Sequence, residues 1–139
     1  MAGFKRIEGS DRGNVRRKVV SLALAVGDLV AYDRSAYKVV KATSSTSVED
    51  VAGVVVEATT TASTEVLLQR ILPGDVYEVE TANAGDATHN YQRMVLTDEN
   101  TVNNTGTDST ADGAVFMQTG IRTGSNIVGE FVVSGQDRA

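Results

Sequence analysis

The feature that most constrains the fold is a series of short β-branched runs that begins at Val19 and is interrupted by turn-forming residues. Valine, threonine and isoleucine supply 20, 15 and 3 of the 121 residues from Val19 to Ala139. Such side chains pack well on a pleated sheet and lose conformational freedom in a helix. The runs are Val19–Leu24, Leu29–Tyr32, Tyr37–Ala42, Val51–Ala58, Glu65–Leu72, Val76–Glu80, Gln92–Thr97, Ala114–Thr119 and Ile127–Ser134. Their number and spacing predict an all-β fold, either a small β-barrel or a sandwich.

Turn signals separate these runs at three places. Gly27-Asp28, Pro73-Gly74-Asp75 and Gly85-Asp86 each combine a glycine with an aspartate. Glycine tolerates positive φ, and aspartate accepts hydrogen bonds from nearby backbone amides. The sequence predicts one short helix, near residues 87–94, and strands joined by turns elsewhere.

Charge is distributed unevenly along the chain, although the net charge is only -5. Residues 1–18 carry six basic residues against two acidic ones, a net charge of +4, whereas residues 19–139 carry seven against sixteen, a net charge of -9. Residues 1–18 also lack a helical or strand period. We therefore predict two parts, an extended basic N-terminal arm at 1–18 and an all-β barrel domain at 19–139.

The residue types that are missing or rare limit how the domain is stabilised. The chain has no cysteine, which excludes a disulfide framework, a thiolate zinc site and a cysteine nucleophile. Because it has only three phenylalanines, four tyrosines and no tryptophan, we expect a thin, mainly aliphatic core. No segment approaches the roughly 20 apolar residues of a membrane span, and charged residues stand where a signal peptide has its apolar core. We expect a soluble protein without a secretory leader or a membrane partner.

Candidate catalytic residues do not form a convergent set. The single histidine, His89, lies in a turn-like segment, and a general base needs a nucleophile and an orienting acid beside it. No Gly-x-Ser-x-Gly motif presents a serine, and neither a Walker lysine motif nor a dinucleotide-binding glycine motif is present. We interpret His89 as a solvated turn residue and predict no enzymatic activity, no catalytic residue and no cofactor.

The polar segment 98–113 is rich in oxygen-bearing side chains. Asp108, Thr110 and Asp112-Gly113 resemble the start of a calcium-binding loop, but Thr119 stands where a bidentate glutamate would complete it. No flanking helices are predicted. A long polar hairpin loop without a metal is therefore the preferred interpretation.

The basic arm is the strongest candidate for a binding surface. Its proposed contact residues are Phe4, Lys5, Arg6, Ile7, Arg12, Arg16, Arg17 and Lys18. A basic arm can neutralise nucleic-acid phosphates, but the acidic body repels a polyanion and no aromatic platform accompanies the bases. The alternative is an acidic protein surface, in which Phe4 and Ile7 are buried while the bases set the register. These features favour a protein partner over nucleic acid.

A series of short motifs follows the basic arm in a recognisable order. The motifs are Leu24-Ala25-Val26-Gly27-Asp28-Leu29-Val30, Ala52-Gly53-Val54-Val55-Val56, Pro73-Gly74-Asp75-Val76, Ala84-Gly85-Asp86 and Val128-Gly129-Glu130-Phe131-Val132-Val133. In this order, and with the richness in threonine and valine, the chain resembles the small decoration (cement) proteins of tailed-phage capsids. The resemblance covers most of residues 19–134.

This resemblance implies a β-barrel of the kind called a β-tulip, which binds the outer surface of the mature capsid and stabilises the shell. It also implies a homotrimer on the virion, made in the host cytoplasm, whose arm at 1–18 contacts the major capsid protein or a neighbouring subunit. It implies no catalytic residue. Two alternatives stay open: a small β-barrel that binds nucleic acid through the same arm, and another phage structural module such as a tail or fibre component.

Overall fold

The computed structural model describes residues 3–9, 13–105 and 113–132, which form twelve β-strands and two 3₁₀ helices. The strands are β1 (Lys5–Glu8), β2 (Asn14–Lys18), β3 (Leu29–Asp33), β4 (Lys38–Lys41), β5 (Val51–Val55), β6 (Glu65–Gln69), β7 (Val76–Thr81), β8 (Arg93–Met94), β9 (Leu96–Asp98), β10 (Thr101–Val102), β11 (Phe116–Thr123) and β12 (Asn126–Phe131). The 3₁₀ helices are Val48–Asp50 and Ala87–His89. The predicted all-β fold is confirmed. In these ranges no helix has the length and apolar character to cross a membrane.

One sheet contains seven strands and is organised around β7. β12 covers one edge of β7 and continues to β11 and β8. Two short strands share the other edge, since β1 pairs with residues 76–78 and β10 pairs in parallel with residues 80–81, followed by β9. Within β7, Tyr77 and Val79 are buried on either side of the more exposed Glu78, as the twofold period of a strand requires.

The second sheet contains five antiparallel strands in the order β2-β6-β5-β3-β4. Four antiparallel steps separate the edge strands, so β2 and β4 run in the same direction. The sheet curls until Cα atoms of β2 and β4 lie within 8 Å of each other. It therefore forms a nearly closed barrel, and we call the gap between β2 and β4 the seam.

Two hydrophobic cores of different composition lie on the two faces of the five-stranded sheet. Along β3, Leu29 and Ala31 belong to the first core, whereas Val30 and Tyr32 belong to or pack against the second. The first core contains all three phenylalanines and Tyr77, with ring centroids 4.9 to 5.7 Å apart. The buried residues of the second core are Val19, Leu24, Val30, Val39, Val55, Val66 and Leu68. The expected aliphatic core is therefore found only in the second cluster.

The N-terminal segment, predicted as an extended arm at 1–18 beside a domain at 19–139, contributes one strand to each sheet. β1 pairs with β7 and β2 pairs with β6. Phe4 is only 4% exposed, and its amide donates a hydrogen bond of 2.7 Å to the Gly27 carbonyl. The segment is extended, but it is packed into the fold. Its strands escaped prediction because they are short and rich in basic residues, as edge strands often are.

The predicted strand Val19–Leu24 is wrong. Val19 and Leu24 are both buried in the second core, but Ser21 between them has a φ of 48°. This left-handed conformation interrupts any continuous strand. Each of the other predicted runs contains strand residues, with shifted ends.

Two of the three predicted turns have the same structure. In residues 25–28 and 72–75 the glycine has a φ of 96° and 87°, respectively. In each turn the backbone amide of the aspartate donates a hydrogen bond to the carbonyl of the first turn residue, Ala25 or Leu72. The amide of that first residue in turn donates to the aspartate carboxylate. Asp86 instead caps the 3₁₀ helix Ala87–His89, which is all that forms of the helix predicted near 87–94.

Candidate functional site

A cleft of about 450 Å³ lies along the seam, beside the turn that joins β3 to β4. It is lined by Arg16, Arg17 and Lys18 of β2, Tyr32 and Asp33 of β3, Arg34 and Tyr37 of the turn, and Lys38 and Val39 of β4. Five of these nine residues are basic and one is acidic. We call this site the basic cleft.

Arg17 is the most constrained cation of the basic cleft. Val15 packs against the second core, and Arg17 lies two residues further along β2, on the same side of the strand. Its Nε donates a hydrogen bond of 3.1 Å to the Tyr32 hydroxyl, and its Nη1 donates one of 3.0 Å to the Arg16 carbonyl. The half-buried guanidinium is thus held in place by neutral acceptors.

Arg34 lies against the same tyrosine but has an acidic partner. Its guanidinium carbon is 5.2 Å from the centroid of the Tyr32 ring, a cation–π distance. Its Nε donates to Asp50 Oδ1 at 2.8 Å, and its Nη2 donates to the Glu49 carbonyl at 3.1 Å. The charge of Arg34 is therefore balanced within the protein.

The remaining cations of the basic cleft are not balanced in this way. Across the described ranges, no carboxylate oxygen lies within 4.0 Å of the cationic groups of Arg16, Arg17, Lys18 or Lys38. The acidic residue of the lining, Asp33, stays ionised at neutral pH, since a hydrogen bond from the Ser35 hydroxyl and others from backbone amides lower its pKa. The lining carries five positive charges and one negative charge, so it attracts anions.

Tyr37 gives the basic cleft an exposed aromatic ring. It is 83% exposed, and its φ of 57° places it in the left-handed region. For a residue other than glycine this conformation costs about 1–2 kcal/mol. The turn ends at Lys38, the first residue of β4, which lies opposite Asp33 in the β3–β4 register. An exposed aromatic side chain on a strained backbone is typical of a binding site.

Several residues predicted to bind a partner have roles inside the fold. Phe4 is buried in the first core, and Ile7 is half-buried on β1. Arg6 forms an ion pair of 3.8 Å with the buried Asp75. Lys5 is exposed on β1, away from the basic cleft. Phe4 and Arg6 thus help to hold β1 on the seven-stranded sheet.

Arg16, Arg17 and Lys18 are the predicted contact residues that do join the basic cleft, whereas Arg12 lies outside the described residues. Sequence reasoning missed their neighbours Tyr32, Arg34, Tyr37 and Lys38. The signal was a short stretch, residues 33–36, between two predicted strands, and the acidic balance of residues 19–139 concealed it. The expectation that no aromatic residue accompanies the bases is wrong, because the fold brings two tyrosines beside them.

His89 differs from its predicted role as a solvated turn residue, because it is half-buried. Among the described residues its Nδ1 atom has no hydrogen-bond partner although it is buried, and the same holds for Gln92 Oε1 and Gln118 Oε1. The amide nitrogen of Gln118 donates hydrogen bonds to the Asp86 carbonyl and to Asn90 Oδ1.

The polar segment 98–113 is described as far as residue 105 and again at residue 113. Asp98 accepts hydrogen bonds from Asn100 and Thr101, the residue that begins β10. The residues compared with a calcium-binding loop at 108–112 lie outside the described part. In the part that is described, no three His, Cys, Asp or Glu side chains are grouped to hold a metal ion.

Comparison with known proteins adds no family to these observations. No protein-family model matches the chain, and no curated protein matches its sequence significantly.

Proposed function

We propose that this protein is a non-enzymatic decoration protein of a tailed-phage capsid, which binds the outer surface of the mature shell and stabilises it. The observation that carries the proposal is the basic cleft, where no carboxylate oxygen of the described residues lies within 4.0 Å of the cationic groups of Arg16, Arg17, Lys18 or Lys38. Residues 19–139 have a net charge of -9, so this positive surface contrasts with the rest of the chain. Such a surface suits an anionic partner from outside the chain. Because the motif order resembles that of decoration proteins, we propose the major capsid protein as that partner.

The proposed attachment surface includes only part of the N-terminal arm expected from the sequence. Phe4 and Arg6 already have partners inside the fold. Arg16 and Lys18 alternate with the half-buried Arg17 on β2 and are exposed at the edge of the sheet. Attachment therefore depends on β2 and the β3–β4 turn.

Shell reinforcement fits a small protein present in many copies. Each copy needs only an ordinary interface, because many interfaces act together. Binding also stabilises each folded copy by mass action. We propose a homotrimer without a cofactor, located on the outer face of the virion. Sedimentation equilibrium of the isolated protein tests the trimer.

The proposal is tested with expanded shells assembled from the major capsid protein of the same genome. The full-length protein should co-sediment with the shells and appear as added density on their outer face in electron micrographs. The double variant Arg16→Gln/Lys18→Gln should bind at least about tenfold more weakly, since charge-assisted contacts at an interface are lost. The control Arg70→Gln/Arg122→Gln removes the same charge elsewhere and should bind like the wild type.

Two results would contradict a decoration role. Failure of the wild-type protein to sediment with the shells removes the proposal. Density confined to the tail or to a single vertex supports a tail or fibre component instead.

A nucleic-acid-binding protein is the second candidate, favoured by the tyrosines of the basic cleft. Single-stranded nucleic acid is bound by basic grooves with aromatic rings on which bases stack. Arg34 already covers one face of Tyr32, whereas Tyr37 is exposed. This function predicts oligonucleotide binding that weakens steeply as salt rises. Absence of binding at low ionic strength removes this candidate.

A further inference from the structure

We infer that the basic cleft binds a short acidic segment of a partner protein, with Arg17 contacting a carboxylate and Tyr32 positioning Arg17. The inference rests on the proposed function for the identity of the partner, the capsid protein. The acidic character of the bound segment is inferred from the geometry of the basic cleft alone.

Arg17 has the donors that carboxylate binding requires. A guanidinium has five N–H donors, one on Nε and two on each Nη. The Tyr32 hydroxyl uses the Nε donor and the Arg16 carbonyl uses one Nη1 donor. Three donors stay available, including both on Nη2, which is enough for a two-point contact with a carboxylate. Because the guanidinium is already oriented, less conformational entropy is lost on binding.

Arg16, Lys18 and Lys38 line the same cleft and supply further positive charge. None of them has a carboxylate within 4.0 Å in the part of the chain that the structure covers. Tyr37 adds an apolar surface beside them, against which the aliphatic part of a glutamate side chain can pack. The basic cleft thus offers contacts for two or three acidic side chains.

The acidic surroundings of the basic cleft favour a short peptide over a nucleic acid. Asp33 lies in the lining, Glu65 is paired opposite Lys18, and Asp50 is bonded to Arg34. A phosphodiester chain carries a charge at every nucleotide, so it would extend from the cations onto these carboxylates. A peptide segment with only a few carboxylates can contact the cations of the basic cleft without reaching these acidic residues.

The width of the seam indicates that side chains, not backbone pairing, hold the partner. A strand inserted between β2 and β4 needs them about 9.5 Å apart, twice the usual spacing of neighbouring strands. The Cα atoms of β2 and β4 approach within 8 Å. The segment therefore lies over the seam and is bound by the arginines, lysines and Tyr37.

The test measures binding of a short, capped peptide of alternating Glu and Thr to the full-length protein by titration calorimetry. A peptide with Gln in place of Glu is the neutral control, and an oligothymidylate of equal charge is the competing polyanion. Arg17→Gln should weaken binding of the acidic peptide about tenfold or more, because a two-point ionic contact is lost. Arg17→Lys should restore only part of it, since lysine keeps the charge but not the planar fork.

Two further variants separate positioning from a general effect on the fold. Tyr32→Phe removes the acceptor for Arg17 Nε but keeps the ring beside Arg34, so affinity should fall several-fold with an unchanged salt dependence. Arg17→Gln should reduce the salt dependence, because it removes a charge. Arg70→Gln, an exposed charge outside the basic cleft, should leave binding unchanged. Thermal unfolding of each variant verifies that it is folded.

Three results overturn the inference: no binding of the acidic peptide by the wild type at low salt, equal binding by Arg17→Gln, or tighter binding of the oligothymidylate. Because no shells are present, the outcome is independent of the decoration role. Shell binding without peptide binding leaves the proposed function standing and removes this inference. Peptide binding without shell binding supports this inference and removes the proposed function.

Discussion

The two sheets differ in how they use aromatic and charged residues. The seven-stranded sheet contributes four packed rings to the first core, and its basic residues Arg6 and Arg122 are paired with Asp75 and Glu78. The five-stranded sheet encloses valines and leucines and presents Arg17 at its seam, where no carboxylate oxygen of the described residues lies within 4.0 Å of the guanidinium. Aromatic packing and paired charges thus belong to one sheet, whereas the proposed binding surface belongs to the other.

The position of β2 at the edge of its sheet explains part of this difference in charged residues. β2 ends the five-stranded sheet, and charged residues on an edge strand discourage pairing with other chains. That role accounts for the exposed Arg16 and Lys18. It does not account for Arg17, which shares the inner side of β2 with Val15 and is bonded to Tyr32. Arg17 is therefore the residue on which the proposed binding of an acidic segment most depends.

The largest effect is expected from Phe4→Ala, which tests whether the N-terminal segment belongs to the seven-stranded half. The substitution should reduce the free energy of unfolding by about 3–5 kcal/mol, because it leaves a cavity among packed rings. Urea denaturation followed by circular dichroism measures the change. The exposed Val26→Ala is the control, with an expected change within about 0.5 kcal/mol. A loss below about 1 kcal/mol for Phe4→Ala would restore the separate arm.

Gly129→Ala tests how tightly the aromatic half is packed. A Cβ atom at Gly129 would overlap the Met117 carbonyl oxygen and lie 2.7 Å from Phe116 Cε2. We expect the melting temperature to fall, with a loss of about 1–3 kcal/mol from overpacking. At Gly120 the nearest atom, Val128 Cγ2, is 3.2 Å away, so Gly120→Ala should cost less. Equal losses for the two variants would show that the first core has room to adjust.

Tyr77→Phe removes the polar atom that the aromatic core contains. The Tyr77 hydroxyl donates to Gln69 Oε1 at 2.9 Å, and loss of this bond should cost about 1 kcal/mol at neutral pH. Burial raises the pKa of Tyr77. The folded protein thus keeps the proton longer than the unfolded chain, and stability falls as pH rises above the ordinary tyrosine pKa of about 10. Urea denaturation at neutral and alkaline pH should show a smaller alkaline loss for Tyr77→Phe. An identical loss would contradict this role of Tyr77.

Tyr37→Gly is expected to give the smallest change in stability, and of opposite sign. Glycine tolerates a φ of 57°, so the variant should be more stable by up to about 1 kcal/mol. It should also bind the acidic peptide more weakly, because the aromatic surface of the basic cleft is lost. Thermal unfolding and calorimetry measure the two effects. A variant that binds as well as the wild type would limit the ligand contacts to the charged residues.

The sequence predicted some strands and turns better than others. Alternating apolar residues in β7 and β12 and the glycine–aspartate turns were visible because they depend on local chemistry. β1 and β2 were not predicted, since their basic residues resemble a solvated arm and their pairing partners lie more than forty residues away. Ser21 was not foreseen as an interruption, because a valine-rich run does not reveal a single left-handed residue.

The candidate site was predicted only in part, because some of its residues are neighbours in the sequence and others are not. Arg16, Arg17 and Lys18 stand out because they are consecutive. Their partners stand 14 to 22 positions away along the chain and contribute to an acidic average, so composition concealed them.

An all-β chain with basic residues concentrated near its start follows from the sequence alone, because β-branched periodicity and charge are local properties. Only the fold reveals that Phe4 is a core residue and that Arg17 lies against Tyr32. Both results follow from strand pairing over long separations, where burial and register override the local charge pattern. Within the basic segment, β2 thus forms one edge of the nearly closed barrel and one wall of the basic cleft.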